Sequence, residues 1–285
     1  MKLVRFGPPG RERPGVWMGD GRILDVRAGA FHIRDYDTHF FSRFGLMQLR
    51  ALCAEPGARF VAAETVRLGP PVARPSKIVC VGMNYRAHAE EFGARQPDEP
   101  VLFAKAPSSL IGPNDPVVLP PAAEEVDSEV ELAVVIGRKI SALPRSGAWS
   151  AVAGLTVLND VTDRAGQRRA GQWFRAKSYD TFCPLGPFLV TPDEIKDPQS
   201  LRLRQTLDGE ILQDARVGEM IFSVPDLIAF VSAGMTLYPG DIISTGTPPG
   251  IGSSRHPPRL MHPGSIVEAE IEGLGVQRNA VVSAQ

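Results

Sequence analysis

Cysteine is scarce in this sequence, and so are the patterns that cysteine forms in metal-binding and secreted proteins. The 285 residues include three cysteines, Cys53, Cys80 and Cys183, which lie far apart and are odd in number. They form neither a CxxC pair nor an even set that could build a disulfide framework. Cys80 lies in an apolar run, where we expect a buried thiol. The sequence therefore predicts no cysteine-based site, and we expect a cytoplasmic location.

Long apolar runs and an excess of basic charge are also missing. No stretch approaches the ~18 apolar residues of a membrane-spanning helix, and the N-terminal residues lack the pattern of a secretory signal. Lys and Arg number 31 against 32 Asp and Glu, so the formal net charge is -1. A nucleic-acid-binding protein would show a clustered basic face, and the short Arg-rich stretch over residues 164–175 is better suited to an anionic substrate or a solvated surface. We expect neither membrane nor nucleic acid as a partner.

The residues that are present indicate a globular protein built mainly from strands. Hydrophobic residues make up 43% of the chain and charged residues 22%, and 28 glycines and 26 prolines are spread along it. This composition allows a large core surrounded by long loops. Helical patterns are few, and the regular βαβ alternation of a doubly wound sheet is missing. We predict an α+β fold that is mainly β. The predicted strands are residues 77–82, 129–137, 154–158, 188–191, 241–245 and 266–271; the predicted helices in the same part are residues 86–92, 147–152 and 224–231.

The sequence pattern changes near residue 70, which divides the chain into two parts. For the residues before this point we predict short strands followed by a helix over residues 42–53. Residues 68–75 carry three prolines in eight positions, which is typical of a linker. We therefore predict a small β-rich N-terminal module over residues 1–70 and a main domain over residues 76–285.

Three carboxylates next to apolar strands form the most informative pattern. Side chains alternate on a strand, so Glu129 and Glu131 are expected on one face. Asp160 ends another apolar run. Carboxylates brought together repel each other, and a hard divalent cation such as Mg²⁺ or Mn²⁺ removes that penalty. From spacing alone, however, the two glutamates more often line the solvated face of an edge strand, and Asp160 joins them only by inference.

Several blocks of sequence, in the same order, resemble the fumarylacetoacetate hydrolase superfamily over roughly residues 76–280. The blocks are IVCVGMNY (78–85) with His88, DSEVELAVVIG (127–137), Asn159-Asp160-Val161 with Arg164, KSYDTFCPLGP (177–187) and TGTPPGIG (245–252). The resemblance implies a mixed β-roll catalytic domain over residues 76–285, usually a homodimer, with one Mg²⁺ or Mn²⁺ per subunit. It implies that Glu129, Glu131 and Asp160 are the metal ligands.

The resemblance also implies roles for residues that act on the substrate. His88 and Glu91 would share a helix face on a mobile lid, where a carboxylate orients an imidazole and raises its basicity. The family pattern favours Glu91 over Glu90, although without it a surface histidine is the more common explanation. Lys177 is a candidate for binding a substrate carboxylate or a developing oxyanion. Further candidates for binding the substrate are Arg164, Gln167, Thr247 and Lys105.

Members of this superfamily act on 2-oxo acids and 1,3-dicarbonyls, which leaves several functions open. Our leading hypothesis is metal-dependent hydrolysis of a C–C bond in a 2,4-dioxo acid through an enolate. The whole chain most resembles the branch of acylpyruvate and 2,4-diketo-3-deoxy sugar acid hydrolases, and residues 171–178 most resemble the enzymes that act on diketo-deoxy sugar acids. The same site could instead decarboxylate oxaloacetate or tautomerise an enol acid. A third hypothesis is a non-catalytic structural dimer. The glycine-rich turn at Thr247 lacks the Gly-Lys-Ser/Thr ending of a phosphate loop, which argues against a nucleotide.

Overall fold

The computed structural model describes residues 1–43, 45–55, 58–91, 93 and 95–284. The strands are β1 (Lys2–Phe6), β2 (Arg13–Trp17), β3 (Arg22–Asp25), β4 (Phe60–Ala62), β5 (Leu68–Gly69), β6 (Ile78–Gly82), β7 (Val101–Lys105), β8 (Leu110–Ile111), β9 (Val117–Leu119), β10 (Val126–Asp127), β11 (Val130–Ile136), β12 (Val152–Asn159), β13 (Thr162–Asp163), β14 (Cys183–Pro184), β15 (Leu189–Val190), β16 (Arg202–Leu207), β17 (Glu210–Arg216), β18 (Ile242–Ser244), β19 (Ile266–Ile271) and β20 (Gly275–Ser283). The α-helices are α1 (Val26–Gly29), α2 (Thr38–Ser42), α3 (Gly45–Cys53), α4 (Arg86–Glu91), α5 (Arg164–Ala170), α6 (Phe174–Lys177) and α7 (Val224–Gly234).

Within the described residues, the largest sheet has eleven strands, in the order β4-β3-β2-β1-β15-β12-β11-β18-β6-β7 with β5 beside β1. Every residue of β11 and β12 is buried. Their near-continuous Val, Leu and Ile content follows from this central position, because both faces of these strands are covered. The predicted α+β, mainly β fold class is confirmed. No helix in the described part of the chain is long and apolar enough to cross a membrane.

The N-terminal strands extend this sheet directly. Strand β1 pairs with β15 through Lys2 and Val190. A partly buried ion pair between Arg5 and Asp35, with Nε 2.6 Å from Oδ1, holds the segment together. Leu3 packs in the same buried cluster as Ile78 of the main domain. Residues 1–70 thus share a sheet and a core with the rest of the chain, while the division into an N-terminal module and a main domain stays a prediction.

A second sheet, in the order β17-β16-β19-β20-β9, packs against the central strands. Leu203 and Ile271 belong to one buried cluster with Leu132 and Val157 of the main sheet. The amide of buried Gln205 donates to Ser128 Oγ at 2.8 Å. This contact satisfies buried polar groups beside the start of β11 and so holds the loop there in one conformation.

Strand directions bring the ends of four segments together at one edge of the main sheet. Strand β12 runs antiparallel to β11, so the end of β12 lies beside the start of β11. Strand β18 is also antiparallel to β11, and β6 is parallel to β18. The residues after β6, β12 and β18 therefore meet the residues before β11. Helix α4 follows β6 and α5 follows β13 at the same edge.

Candidate active site

The three predicted metal ligands come together because of the pairing between β11 and β12. Val130 is paired with Asn159, and the Asp160 amide donates to the Glu129 carbonyl at 2.9 Å, so Glu129 and Asp160 lie opposite each other. Glu131 lies two residues along the strand on the same face. Oxygen atoms of these three side chains all lie within 4.8 Å of one another, and all three residues are buried. The solvated edge-strand alternative is thereby excluded.

Positive charge compensates two of the carboxylates. Lys177 Nζ lies 2.7 Å from Glu129 Oε2 and 2.6 Å from Asp160 Oδ2. Arg164 Nη2 lies 2.5 Å from Glu129 Oε1. Burial alone would raise the pKa of Glu129, but the charges of Arg164 and Lys177 outweigh it and hold that pKa well below its ordinary value. Lys177 is buried too, yet Asp160 and Glu129 raise its pKa, so it stays charged.

Glu131 is the carboxylate that forms no ion pair with Lys177 or Arg164. Its Oε2 accepts hydrogen bonds from Ser244 Oγ at 2.5 Å and from the Gly246 amide at 3.0 Å, both of them neutral donors. Burial, together with the charges of Asp160 and Glu129, raises the pKa of Glu131 to about 8. A buried set of three carboxylates that offers oxygen ligands fits a hard divalent cation such as Mg²⁺ or Mn²⁺.

Metal affinity is therefore expected to depend on pH. Below about pH 8 the metal-free protein holds a proton on Glu131, and a cation must displace it before that oxygen can bind. We expect the association constant for Mn²⁺ to fall roughly tenfold for each pH unit below 8 and to level off above it. Calorimetry at several pH values, in buffers of different ionisation enthalpy, measures both the affinity and the released proton. Equal affinities at pH 6 and pH 8, with no proton release, would contradict this assignment.

Lys105 lies behind the carboxylates, not at the surface of the cavity. Its Nζ is 2.7 Å from Asp160 Oδ1 and 3.2 Å from the Val161 carbonyl, and it also donates to the Lys177 carbonyl. The side chain is fully buried. This place in the structure favours a role in positioning Asp160 over the direct substrate contact that the resemblance implied.

Removing the Lys105 charge should destabilise the metal-free protein. Lys105→Met leaves the Asp160 carboxylate buried with one cation fewer, so we expect the free energy of unfolding to fall by about 3–5 kcal/mol. Urea denaturation with chelator present measures this difference. Lys196 is exposed, and Lys196→Met is the matched control, expected to change stability by less than about 0.5 kcal/mol. A loss no larger than that of the control would contradict the role given to Lys105.

Asp127 is a site residue whose role the sequence did not reveal. Its Oδ2 accepts from Arg164 Nε at 3.2 Å and Nη2 at 3.1 Å, and from the Ser253 amide at 2.9 Å. Its Oδ1 accepts from the Gly252 amide at 3.0 Å. Asp127 thus orients the Arg164 guanidinium and ties the 252–253 loop to it. In the sequence, the only indication was that Asp127 is the first residue of the block DSEVELAVVIG (127–137).

His88 and Glu91 lie one above the other on α4, as their spacing predicted. His88 Nδ1 is 3.1 Å from Glu91 Oε2. Glu91 Oε1 also accepts from Ser254 Oγ at 2.5 Å and from the Gly250 amide at 3.1 Å. Partial burial raises the pKa of Glu91, but the hydrogen bonds from His88, Ser254 and Gly250 outweigh it and lower that pKa below its ordinary value. The carboxylate therefore stays ionised and joins α4 to the loop on the other side of the cavity.

A cavity of about 340 Å³ opens onto these groups. Part of its lining is charged and polar, and part is formed by Val81, Gly82, Met83, Phe103 and Trp173. The predicted site residues that line it are His88, Glu129, Glu131, Arg164, Gln167, Lys177 and Thr247. The Thr247 hydroxyl donates to the Val130 carbonyl at 3.0 Å and accepts from Gln213 Nε2 at 2.7 Å, so its hydrogen atom is already engaged by the protein.

Comparison with known proteins agrees with this geometry. Residues 77–282 match the family model described as "Fumarylacetoacetate (FAA) hydrolase C-terminal". The chain belongs to the fumarylacetoacetate hydrolase family. The resemblance drawn from the sequence is confirmed, and so is the corresponding fold. Members of this family are enzymes.

Relatives in the family have different reactions. Oxaloacetate tautomerase Fahd2a of Rattus norvegicus, a mitochondrial protein, is 43% identical over 291 residues, which cover 99% of this chain and 92% of the relative. Maleylpyruvate hydrolase of Sphingobium sp. SYK-6, solved with manganese(II) and pyruvate, has 32% identity and a TM-score of 0.82 over 100% of both chains. A 5-carboxymethyl-2-hydroxymuconate delta-isomerase of Mycobacterium smegmatis has 36% identity and a TM-score of 0.79, again over 100% of both chains.

Proposed function

We propose that this chain is a Mg²⁺- or Mn²⁺-dependent hydrolase that cleaves a C–C bond in a 2,4-dioxo acid of the acylpyruvate or diketo-deoxy sugar acid type. The observation that carries the proposal is the His88–Glu91 pair, at 3.1 Å, on the same cavity as the buried carboxylates. The Sphingobium relative, named for its hydrolysis of maleylpyruvate, was solved with manganese(II) and pyruvate. Pyruvate is the product that cleavage of an acylpyruvate releases.

The polar side of the cavity binds the 2-oxo acid end of the substrate. Glu129, Glu131 and Asp160 would hold the cation, which supplies a Lewis acid for the 2-oxo group when it is bound. Arg164, held in one orientation by Asp127 and Glu129, binds the substrate carboxylate together with Gln167. Lys177 donates a hydrogen bond to the oxygen on which negative charge develops.

His88 moves the proton that hydrolysis requires. Nδ1–H donates to Glu91, which places the basic lone pair of the ring on Nε2. The imidazole removes a proton from water as the water oxygen attacks the C4 carbonyl. When the C3–C4 bond breaks, its electron pair passes to the pyruvate part as an enolate, and His88 returns the proton to C3. The water oxygen leaves in the released carboxylic acid, and the other product is pyruvate.

Product analysis tests this reaction. We expect the purified protein with Mg²⁺ or Mn²⁺ to convert acetylpyruvate into acetate and pyruvate in equal amounts, observed by NMR, and to lose this activity with chelator. If every acylpyruvate and diketo-deoxy sugar acid offered stays intact while metal is bound, hydrolysis is not the reaction. Without metal binding and without turnover, the non-catalytic dimer becomes the better hypothesis.

A second candidate function is tautomerisation of oxaloacetate, which the 43% identity to the rat tautomerase favours. The same residues would catalyse this reaction, and His88 would move a proton between C3 and the enol oxygen. Faster decay of enol absorbance with no loss of carbon would identify this reaction, whereas release of carbon dioxide would identify a decarboxylase. The homodimer and the cytoplasmic location stay predictions from the sequence.

A further inference from the structure

Phe103 and Trp173 form an aromatic wall in the lining of this cavity. Phe103 lies in β7 and Trp173 precedes α6; their ring centroids are 5.2 Å apart with an edge-to-face angle of 66°. Lys177 Nζ lies 5.0 Å from the centroid of the Phe103 ring, so Phe103 adjoins the charged end of the cavity. Trp173 packs on Phe103 and continues the wall.

Gly82, at the end of β6, makes room for the indole. A Cβ atom at this position would lie 2.7 Å from Trp173 Cζ3 and 3.1 Å from Cη2, closer than packed atoms tolerate. The backbone of Gly82 does not require glycine, because its φ lies outside the left-handed region. Space for the Trp173 ring is therefore the reason for a glycine here.

The shape of the cavity separates two ends of a substrate. The charged side binds the 2-oxo acid, so the rest of the molecule lies along Phe103 and Trp173. At about 340 Å³, the cavity is near the lower limit of the roughly 300–1,000 Å³ usual for small-molecule sites.

We infer that Trp173 is a specificity-determining residue that limits the length of the acyl part of the substrate. This inference rests on the proposed function and specifies which acylpyruvates are used. Short acylpyruvates are the preferred substrates, and long-chain acylpyruvates are disfavoured. Trp173 acts by occupying space, so its replacement should change which substrates are used while leaving the reacting end alone.

A chain-length series tests the inference. The ratio of kcat/KM for hexanoylpyruvate to that for acetylpyruvate should rise at least tenfold in Trp173→Ala and by less in Trp173→Phe. Phe174 is 51% exposed and lies outside the cavity lining, so Phe174→Ala is the matched control and should keep the wild-type ratio. Gly82→Ala should lower the ratio, because the added methyl and the displaced indole both take up cavity space.

A double variant tests whether Gly82→Ala acts through its contact with Trp173 or through a general loss of structure. If Gly82→Ala acts by displacing the indole, most of its effect should vanish in the Trp173→Ala background. An unchanged ratio in both Trp173 variants would overturn the inference, and so would the same shift in Phe174→Ala.

The role of Trp173 can be tested even if the proposed function is wrong. If the wild-type protein cleaves no acylpyruvate, calorimetry with Mn²⁺ and the unreactive 2-oxobutanoate and 2-oxooctanoate still measures the length preference. Tighter binding of 2-oxooctanoate in Trp173→Ala supports the role of Trp173 even then. Equal length preference in wild type and variant contradicts it.

Discussion

Glu131→Gln is expected to abolish tight binding of Mg²⁺ or Mn²⁺ and to lower kcat/KM for an acylpyruvate by about 10³-fold or more, since a catalytic cation contributes several kcal/mol. The amide has nearly the same shape as the carboxylate but no charge. It can still accept a hydrogen bond from Ser244 Oγ, which lies 2.5 Å from Glu131 Oε2.

The fold should survive this substitution, which makes the result interpretable. Because the pKa of Glu131 is raised to about 8, the metal-free protein at pH 7 already holds this side chain mainly in its neutral form. We therefore expect the melting temperature of metal-free Glu131→Gln to equal or exceed that of wild type.

Glu124 is exposed and pairs with Arg169 on the surface, so Glu124→Gln is the matched control and should bind Mn²⁺ like wild type. Titration followed by the electron paramagnetic resonance of free Mn²⁺ measures the binding. Wild-type metal affinity in Glu131→Gln would remove this carboxylate from the ligand set.

His88→Asn is expected to lower kcat by 10²- to 10⁴-fold, the usual contribution of a general base, while changing Mn²⁺ affinity by less than about threefold. The proposed metal ligands are carboxylates just before β11, on β11 and just after β12, whereas His88 comes from α4. The two effects should therefore separate. Stopped-flow kinetics and Mn²⁺ titration on the same preparation measure both.

Glu91 provides a second test of the same pair. Its carboxylate orients His88, so Glu91→Gln should lower kcat by a smaller factor, and the double variant should lose little more than His88→Asn alone. His262 is exposed and lies outside the cavity lining; His262→Gln is the control for loss of an imidazole. Full activity in His88→Asn would show that another group moves the proton.

Regular apolar strands were the part of the fold that the sequence predicted well. The predicted strand over residues 266–271 matches Ile266–Ile271, and residues 129–137 contain Val130–Ile136. Buried strands carry a continuous run of β-branched residues, and that signal is local. The predicted helix over residues 42–53 corresponds to α3 from Gly45 onward, with Phe44 outside the described residues. The predicted helix over residues 86–92 corresponds to Arg86–Glu91, with Phe92 likewise outside them.

The hairpin of β16 and β17 was missing from the predictions. It carries charged residues on its exposed face, which hid the strand signal. Its turn consists of Asp208 and Gly209, with φ values of 53° and 83°. Asp-Gly between alternating residues is a strong hairpin signal, because both positions need a positive φ. The local sequence therefore contained this element, although the charged residues obscured it.

The sequence by itself determined the strand content, the family and the residue types of the site, because apolar runs and short motifs are local properties of the chain. Only the tertiary structure decided which charges meet. The pairing of β11 with β12 joins Asp160 to Glu129, and Lys105 reaches Asp160 from 55 residues away. Such contacts depend on strand register and on the direction of buried side chains, which no short segment specifies. The space that Gly82 leaves for Trp173 is of the same kind, since it arises where two distant segments pack together.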